Sequence, residues 1–111
     1  MKKKKLQKRE NNMKIVLACN AGMSTSILKM KLEEEMKKDN LEPYVIAVPV
    51  SEIDDYIEGA DVVLLGPQIR FLLKEVKTKT NVPVITIDIR DYGTMNAVNV
   101  YSLIKQELNK E

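Results

Sequence analysis

One thiol and a cluster of hydroxyls are the chemistry this sequence offers. Cys19 is the single cysteine in 111 residues, and the chain has no histidine. Without histidine, Ser–His–Asp and Cys–His nucleophile pairs are impossible within the chain. So is a phosphohistidine carried by the chain itself. A lone cysteine makes no internal disulfide and no cysteine-rich zinc site. The residues call for no metal and no cofactor. Directly after Cys19 the chain reads Asn20-Ala21-Gly22-Met23-Ser24-Thr25-Ser26: small residues, one glycine, three hydroxyls and no acid. A loop of this kind, running straight into a helix, can aim successive backbone N–H groups at one point above the helix N-terminus. That makes an anion site with a sulfur in it, and the same field favours the thiolate. A thiolate inside a phosphate-sized cradle points to a covalent phosphocysteine. The competing reading is an inert thiol at a strand end, since free cysteine is commonly buried.

Position decides between them, and position depends on the elements around the loop. Ile15-Val16-Leu17-Ala18 is a short apolar run of the kind a buried parallel strand needs. Similar runs stand at 44–48, limited by Pro49, at 62–65, ended by Gly66-Pro67, and at 82–87, with Pro83 near its entrance. Helical patterns fall between and after them. The first covers 24–38, with Ile27, Leu28, Met30, Leu32 and Met36 at helical spacings. The second is short, from an N-cap at Ser51 to Ile57, with Gly59 as its stop. The third covers 68–79, with Ile69, Leu72, Leu73 and Val76 inward. The last covers 94–109, with Val98, Tyr101, Leu103, Ile104 and Leu108 available to pack. Alternating strands and helices imply right-handed crossovers and a parallel sheet. The expected fold is a small doubly wound α/β domain with four parallel strands in the order 2-1-3-4 and helices on both faces. In such a sheet ligands sit at the carboxyl ends of the strands where the order reverses, here between strands 1 and 3. Cys19 ends strand 1, so the one thiol stands at the one crevice the fold provides.

The charge is unevenly spread. Residues 1–12 hold six basic residues and one acid, which leaves 99 residues carrying a net charge of −3 out of the chain's +2. The acidic remainder argues against a nucleic-acid partner. No apolar run approaches the roughly 18 residues of a membrane span, so no direct membrane insertion is expected. The opening lysines lead into polar residues and not into the apolar core of a signal peptide. With a lone thiol the expected compartment is the cytoplasm. Residues 1–12 read as a disordered basic tail and 13–111 as one domain; a basic arm that binds a partner is the alternative for the tail.

These residues resemble the IIB component of the bacterial sugar phosphotransferase system, in the lactose/cellobiose/chitobiose class. The resemblance spans about residues 13–109. Its carriers are the loop from Cys19 to Ser26, the run Ala60-Asp61-Val62-Val63-Leu64-Leu65-Gly66-Pro67-Gln68-Ile69, and Tyr92-Gly93. Met23-Ser24-Thr25-Ser26 looks closest to the cellobiose/chitobiose branch. The resemblance implies a cytoplasmic phosphoryl carrier whose Cys19 takes phosphate from a phosphohistidine on a IIA protein. It then passes the phosphate to a sugar, expected to be a β-linked disaccharide, held by the membrane protein IIC. It implies a phosphate loop of Asn20, Ala21, Gly22, Met23, Ser24, Thr25 and Ser26.

Two rival readings remain open. Low-molecular-weight tyrosine phosphatases and arsenate reductases share the fold type and the phosphocysteine chemistry. They need an arginine six residues after the cysteine, where this chain has Thr25, and an acid, for which Asp88 and Asp91 are the candidates. A IIB-like regulatory adaptor is the non-enzymatic rival. Asp54-Asp55 as a metal pair and Arg70 or Arg90 as phosphate-steering groups are weaker readings than solvated helix face and surface salt-bridge partners. A carrier must present its thiol to two proteins in turn, so an adaptable rim is expected around the loop. Met23 is the expected partner contact, with Ile69 and Tyr92 behind it.

Overall fold

The computed structural model describes residues 12–20 and 25–109. Its sheet has four parallel strands in the order β2-β1-β3-β4, the order expected for the doubly wound domain. The strands are β1 (Asn12–Cys19), β2 (Glu42–Pro49), β3 (Val62–Leu65) and β4 (Val84–Thr86). β1 is central and pairs with β2 from Asn12↔Glu42 to Cys19↔Pro49, and with β3 from Ile15↔Val62 to Ala18↔Leu65. It therefore begins at Asn12, inside the segment read as a tail; residues 1–11 lie outside the described residues.

Side-chain alternation along the strands builds two cores. Ile15, Leu17, Val62 and Leu64 face one layer, α1 (Thr25–Lys38) and the last helix, and join Leu28, Leu32, Met36, Val100, Tyr101 and Ile104. Val16, Ala18, Val63 and Leu65 face the other layer, joining Val48, Ile53, Ile69 and Val76. Cys19 has the parity of Ile15 and Leu17, so its thiol belongs to the α1 side. The inward stripe of α1 is Thr25, Leu28, Leu32 and Met36, a three-then-four spacing. Ile27 and Met30, counted among the apolar residues at helical spacings, lie off this stripe and are 52% and 58% exposed. Lys37 and Lys38 close the helix, and no acid stands in its first turn, so the charges complement the helix dipole at one end and leave the other open to an anion.

The connections differ from expectation. Residues 50–55 form a 3-10 helix rather than an α-helix capped by Ser51. Pro49, extended at φ −64° and ψ 145°, precedes it, and one tight turn is enough to bring Ile53 into the core. Gly59 then reverses the chain at φ +80°, a conformation that favours glycine. The helix expected over 68–79 is divided. A 3-10 helix covers Pro67–Leu72, with Ile69 out of helical geometry at φ −120° and ψ 21°, and α2 covers only Leu73–Lys77. That break drops Ile69 onto the sheet. β4 leads instead into a short α3 (Ile89–Gly93), and α4 starts at Ala97 and runs to Leu108. Met95, at φ 54°, turns the chain between them. Asn96 caps α4 by accepting a hydrogen bond from the Asn99 amide at 3.1 Å. The buried face of α4 is Ala97, Val100, Tyr101 and Ile104, and Val98 and Leu103 point outward.

One polar tie joins α4 to the end of α1. The Tyr101 hydroxyl donates to Asp39 Oδ2 at 2.8 Å, Lys105 Nζ reaches the same oxygen at 3.3 Å, and that ammonium lies 4.6 Å from the Tyr101 ring centre. Burial, and then the Asp39 carboxylate, push the Tyr101 hydroxyl above the usual phenol range. Tyr101→Phe should lower stability by about 1 kcal/mol near neutral pH. A group with a raised pKa in the folded state contributes stability that is lost as pH rises, here above about pH 10. Urea unfolding of the two proteins from pH 7 to 11 should therefore show the gap between them narrowing in the alkaline range.

Candidate functional site

The site is built where β1 stops. Cys19 is 1% exposed, and its strand neighbours Pro49 and Leu65-Gly66 wall it on both sides. The Gly66 amide donates to the Ala18 carbonyl at 2.9 Å, which carries the β1–β3 pairing one step beyond the strand end. A Cβ on Gly66 would sit 3.7 Å from the Cys19 Cβ and 3.2 Å from Gln68 Oε1. An alanine there requires the Gln68 side-chain amide to give by a few tenths of an ångström. Pro67 follows as the first residue of the 3-10 helix, where its missing N–H costs nothing.

Opposite this wall stands the start of α1. Thr25 is fully buried, and its hydroxyl lies 3.6 Å from Cys19 Sγ, close enough for either atom to donate to the other. Apart from Tyr92 and Tyr101, whose rings fill the core, Thr25 is the one hydroxyl-bearing side chain buried among the described residues. It sits there because the first inward position of α1 faces the sulfur. The thiol is thus held between a glycine wall and a helix N-terminus with a hydroxyl in its first turn. That arrangement offers a phosphoryl group a nucleophile, amide donors and an O–H donor. Of the expected site residues, the nucleophile Cys19 and the loop residue Thr25 are brought together, Asn20 lies exposed in a bend, and Ser26 is exposed in the first turn of α1. Ala21, Gly22, Met23 and Ser24 lie outside the described residues.

Several other expectations change. Ile69 is 3% exposed and Tyr92 is 8% exposed, both packed into the cores, so neither offers a contact surface for a partner. Asp88 and Asp91, the acids a phosphatase would need, are engaged in structure. Asp88 caps α3 by accepting from the Arg90 amide at 3.3 Å, and Asp91 accepts from Asn99 Nδ2 at 3.2 Å. Asp54 pairs with Lys79 at 2.8 Å, which occupies one member of the Asp54-Asp55 pair. Arg70 and Arg90 form no ion pair with a described residue, which removes the salt-bridge reading for both among those residues.

A four-stranded parallel α/β sheet with a buried thiol at its switch point, facing a helix N-terminus, defines a small doubly wound domain. Comparison with known proteins supplies the family. The model of the lactose/cellobiose-specific IIB subunit of the phosphotransferase system matches residues 14–103. The chain belongs to that family: it is a sugar phosphotransferase IIB component of the lactose/cellobiose class. It is 35% identical over 103 residues to the galactose-specific EIIB component of Lactococcus lactis subsp. cremoris, covering 86% of this chain and 95% of the relative. It is 36% identical over 91 residues to the oligo-beta-mannoside-specific EIIB component of Bacillus subtilis, covering 79% of this chain and 88% of the relative. The solution structure of a cellobiose-specific IIB component from Borrelia burgdorferi superposes with a TM-score of 0.72 at 35% identity, over 88% of this chain and 93% of that one. The lactose-specific IIB domain of Streptococcus pneumoniae shares the fold with a TM-score of 0.75 at 13% identity, over 86% of this chain and 97% of that one. Among the described residues no helix is long and apolar enough to cross a membrane.

Proposed function

We propose that this protein is a cytoplasmic phosphoryl carrier that works through Cys19. It accepts phosphate from a phosphohistidine on a IIA protein and passes it to a sugar, a β-linked disaccharide, held by the membrane protein IIC. The observation that carries the reading is the burial of Cys19 at the carboxyl end of β1 with its sulfur 3.6 Å from the hydroxyl of Thr25, the first residue of α1. In the uptake step Sγ attacks phosphorus and the P–N bond breaks. The electron pair stays on the ring nitrogen, and the thiol proton ends on the imidazole. In the delivery step a sugar hydroxyl attacks phosphorus, the S–P bond breaks, and the hydroxyl proton ends on sulfur. Such transfers need positioning and charge stabilisation more than acid–base catalysis. Thr25 Oγ1, the first amides of α1 and the loop Asn20, Ala21, Gly22, Met23, Ser24 and Ser26 supply that stabilisation.

A carrier must hold its phosphate against water. A phosphatase loop closes with an arginine, and Thr25 stands at that position; of the acids after β4, Asp88 caps α3 and Asp91 accepts from Asn99 of α4. The protein should therefore hydrolyse p-nitrophenyl phosphate at a rate indistinguishable from buffer, and turnover that depends on Cys19 would restore the phosphatase reading. The direct test is incubation with a phosphorylated IIA protein of the lactose/cellobiose class, followed by mass spectrometry. A phosphoryl group on Cys19 is the expected result. Phosphate on another residue, or none, would overturn the assignment.

A further inference from the structure

The residues expected to meet a partner, Ile69 and Tyr92, are buried, but their neighbours are not. Phe71 is 76% exposed and Ile89 is 71% exposed, the two highest values among the large apolar side chains described as exposed. Each stands beside an exposed arginine without an ion pair to a described residue, giving Arg70-Phe71 and Ile89-Arg90. Both pairs follow the carboxyl end of a strand: Arg70-Phe71 lies in the 3-10 helix after β3, and Ile89-Arg90 opens α3 after β4. This is the edge of the sheet at which β1 ends in Cys19. The two pairs also belong to opposite layers. The 3-10 helix packs Ile69 into one core, and α3 packs Tyr92 into the other. A single surface that touches both pairs must cross the carboxyl edge of the sheet, the edge at which β1 ends in Cys19.

We propose that Arg70-Phe71 and Ile89-Arg90 form the docking rim for the phosphohistidine-bearing donor, an inference that rests on the carrier reading of Cys19. Charge argues for this occupant. The donor brings an anionic phosphoryl group to an edge where two guanidinium groups have no ion pair with a described residue; Asp88 and Asp91 at the same corner keep their charge, but their oxygens are held by the Arg90 amide and by Asn99. Composition argues the same way, because arginine and aromatic residues are enriched in interface cores and lysine and glutamate are depleted. Exposed large apolar groups on the same sheet edge as the transferable group suit a contact that forms and breaks at each turnover.

The test compares wild type, Arg70→Glu/Arg90→Glu and Phe71→Ser/Ile89→Ser, with a phosphorylated IIA protein of the lactose/cellobiose class as the probe. All four residues are exposed, so both variants should unfold with wild type to within about 0.5 kcal/mol. Each should raise the KM for the donor about tenfold, with the saturating rate of Cys19 phosphorylation held within about twofold. The arginine variant's deficit should shrink in high salt, where exposed charges are screened, and the apolar variant's should persist. Alkylation of Cys19 by iodoacetamide should be equal in all three proteins. Wild-type KM in both variants would place the donor elsewhere and overturn the rim. A concentration-dependent dimer of the wild type that both variants abolish would assign the rim to a second copy and overturn it as well. If wild type itself takes no phosphate, the carrier reading fails, and that outcome is distinct because all three proteins then fail alike.

Discussion

Cys19→Ser should abolish phosphoryl transfer while leaving the fold in place. The nucleophile in this chemistry is a thiolate, and a serine hydroxyl stays un-ionised near neutral pH. Cys19 is 1% exposed, and the hydroxyl that replaces its thiol would still face Thr25 Oγ1, so the buried polar atom keeps a partner. The substitution should shift stability by no more than about 1 kcal/mol. Transfer should fall by roughly three orders of magnitude or more, as expected for removal of the reacting atom itself. Phosphoryl uptake from a IIA donor, followed by mass spectrometry beside a urea unfolding curve, measures both. A serine variant that supports normal sugar phosphorylation would remove Cys19 from the mechanism.

The parts of the site that are legible in the sequence are those set by strong, local signals. Ile15-Val16-Leu17-Ala18 and Val62-Val63-Leu64-Leu65 are apolar on both faces, which only a strand covered on both sides tolerates, and both are central strands. Given their order, the crevice beside Cys19 is a consequence of topology. Less legible are features settled by competition between neighbours. Ile69 carries two readings in the sequence, inward with Leu72, Leu73 and Val76 by helical spacing and outward as a partner contact; the structure buries it, through the broken geometry that follows the turn at Gly66-Pro67. Asn96 does not read as a cap, because the helical pattern already starts at Thr94. The short α3 and the left-handed turn at Met95 displace that start by three residues. Thr25 carries a signal that can be read, a β-branched hydroxyl three residues before Leu28 on the inward stripe, but its closeness to the sulfur needs the structure.

The same stripe makes Leu28 the second large prediction. Leu28 is fully buried one turn after Thr25, among the side chains of β1, β3 and α4, so it holds the N-terminal end of α1 against the sheet. Leu28→Ala removes apolar surface and leaves a cavity that the packed elements fill only in part. The expected cost is about 3 kcal/mol, a fall in Tm on the order of 15 °C for a domain of this size. Ile27→Ala and Met30→Ala are the controls. Both side chains are more than half exposed, so each should cost no more than about 0.5 kcal/mol. The effect should also reach the chemistry. If α1 loosens at its first turn, Thr25 Oγ1 no longer stays beside Cys19 Sγ, and the rate of phosphoryl uptake should drop even at temperatures where Leu28→Ala is folded. Thermal unfolding and donor-dependent phosphorylation of the three variants separate these effects. A Leu28→Ala protein as stable as wild type would mean that α1 is not held to the sheet through this contact. A folded Leu28→Ala protein with wild-type uptake would show that the hydroxyl beside the sulfur tolerates movement of the helix that carries it.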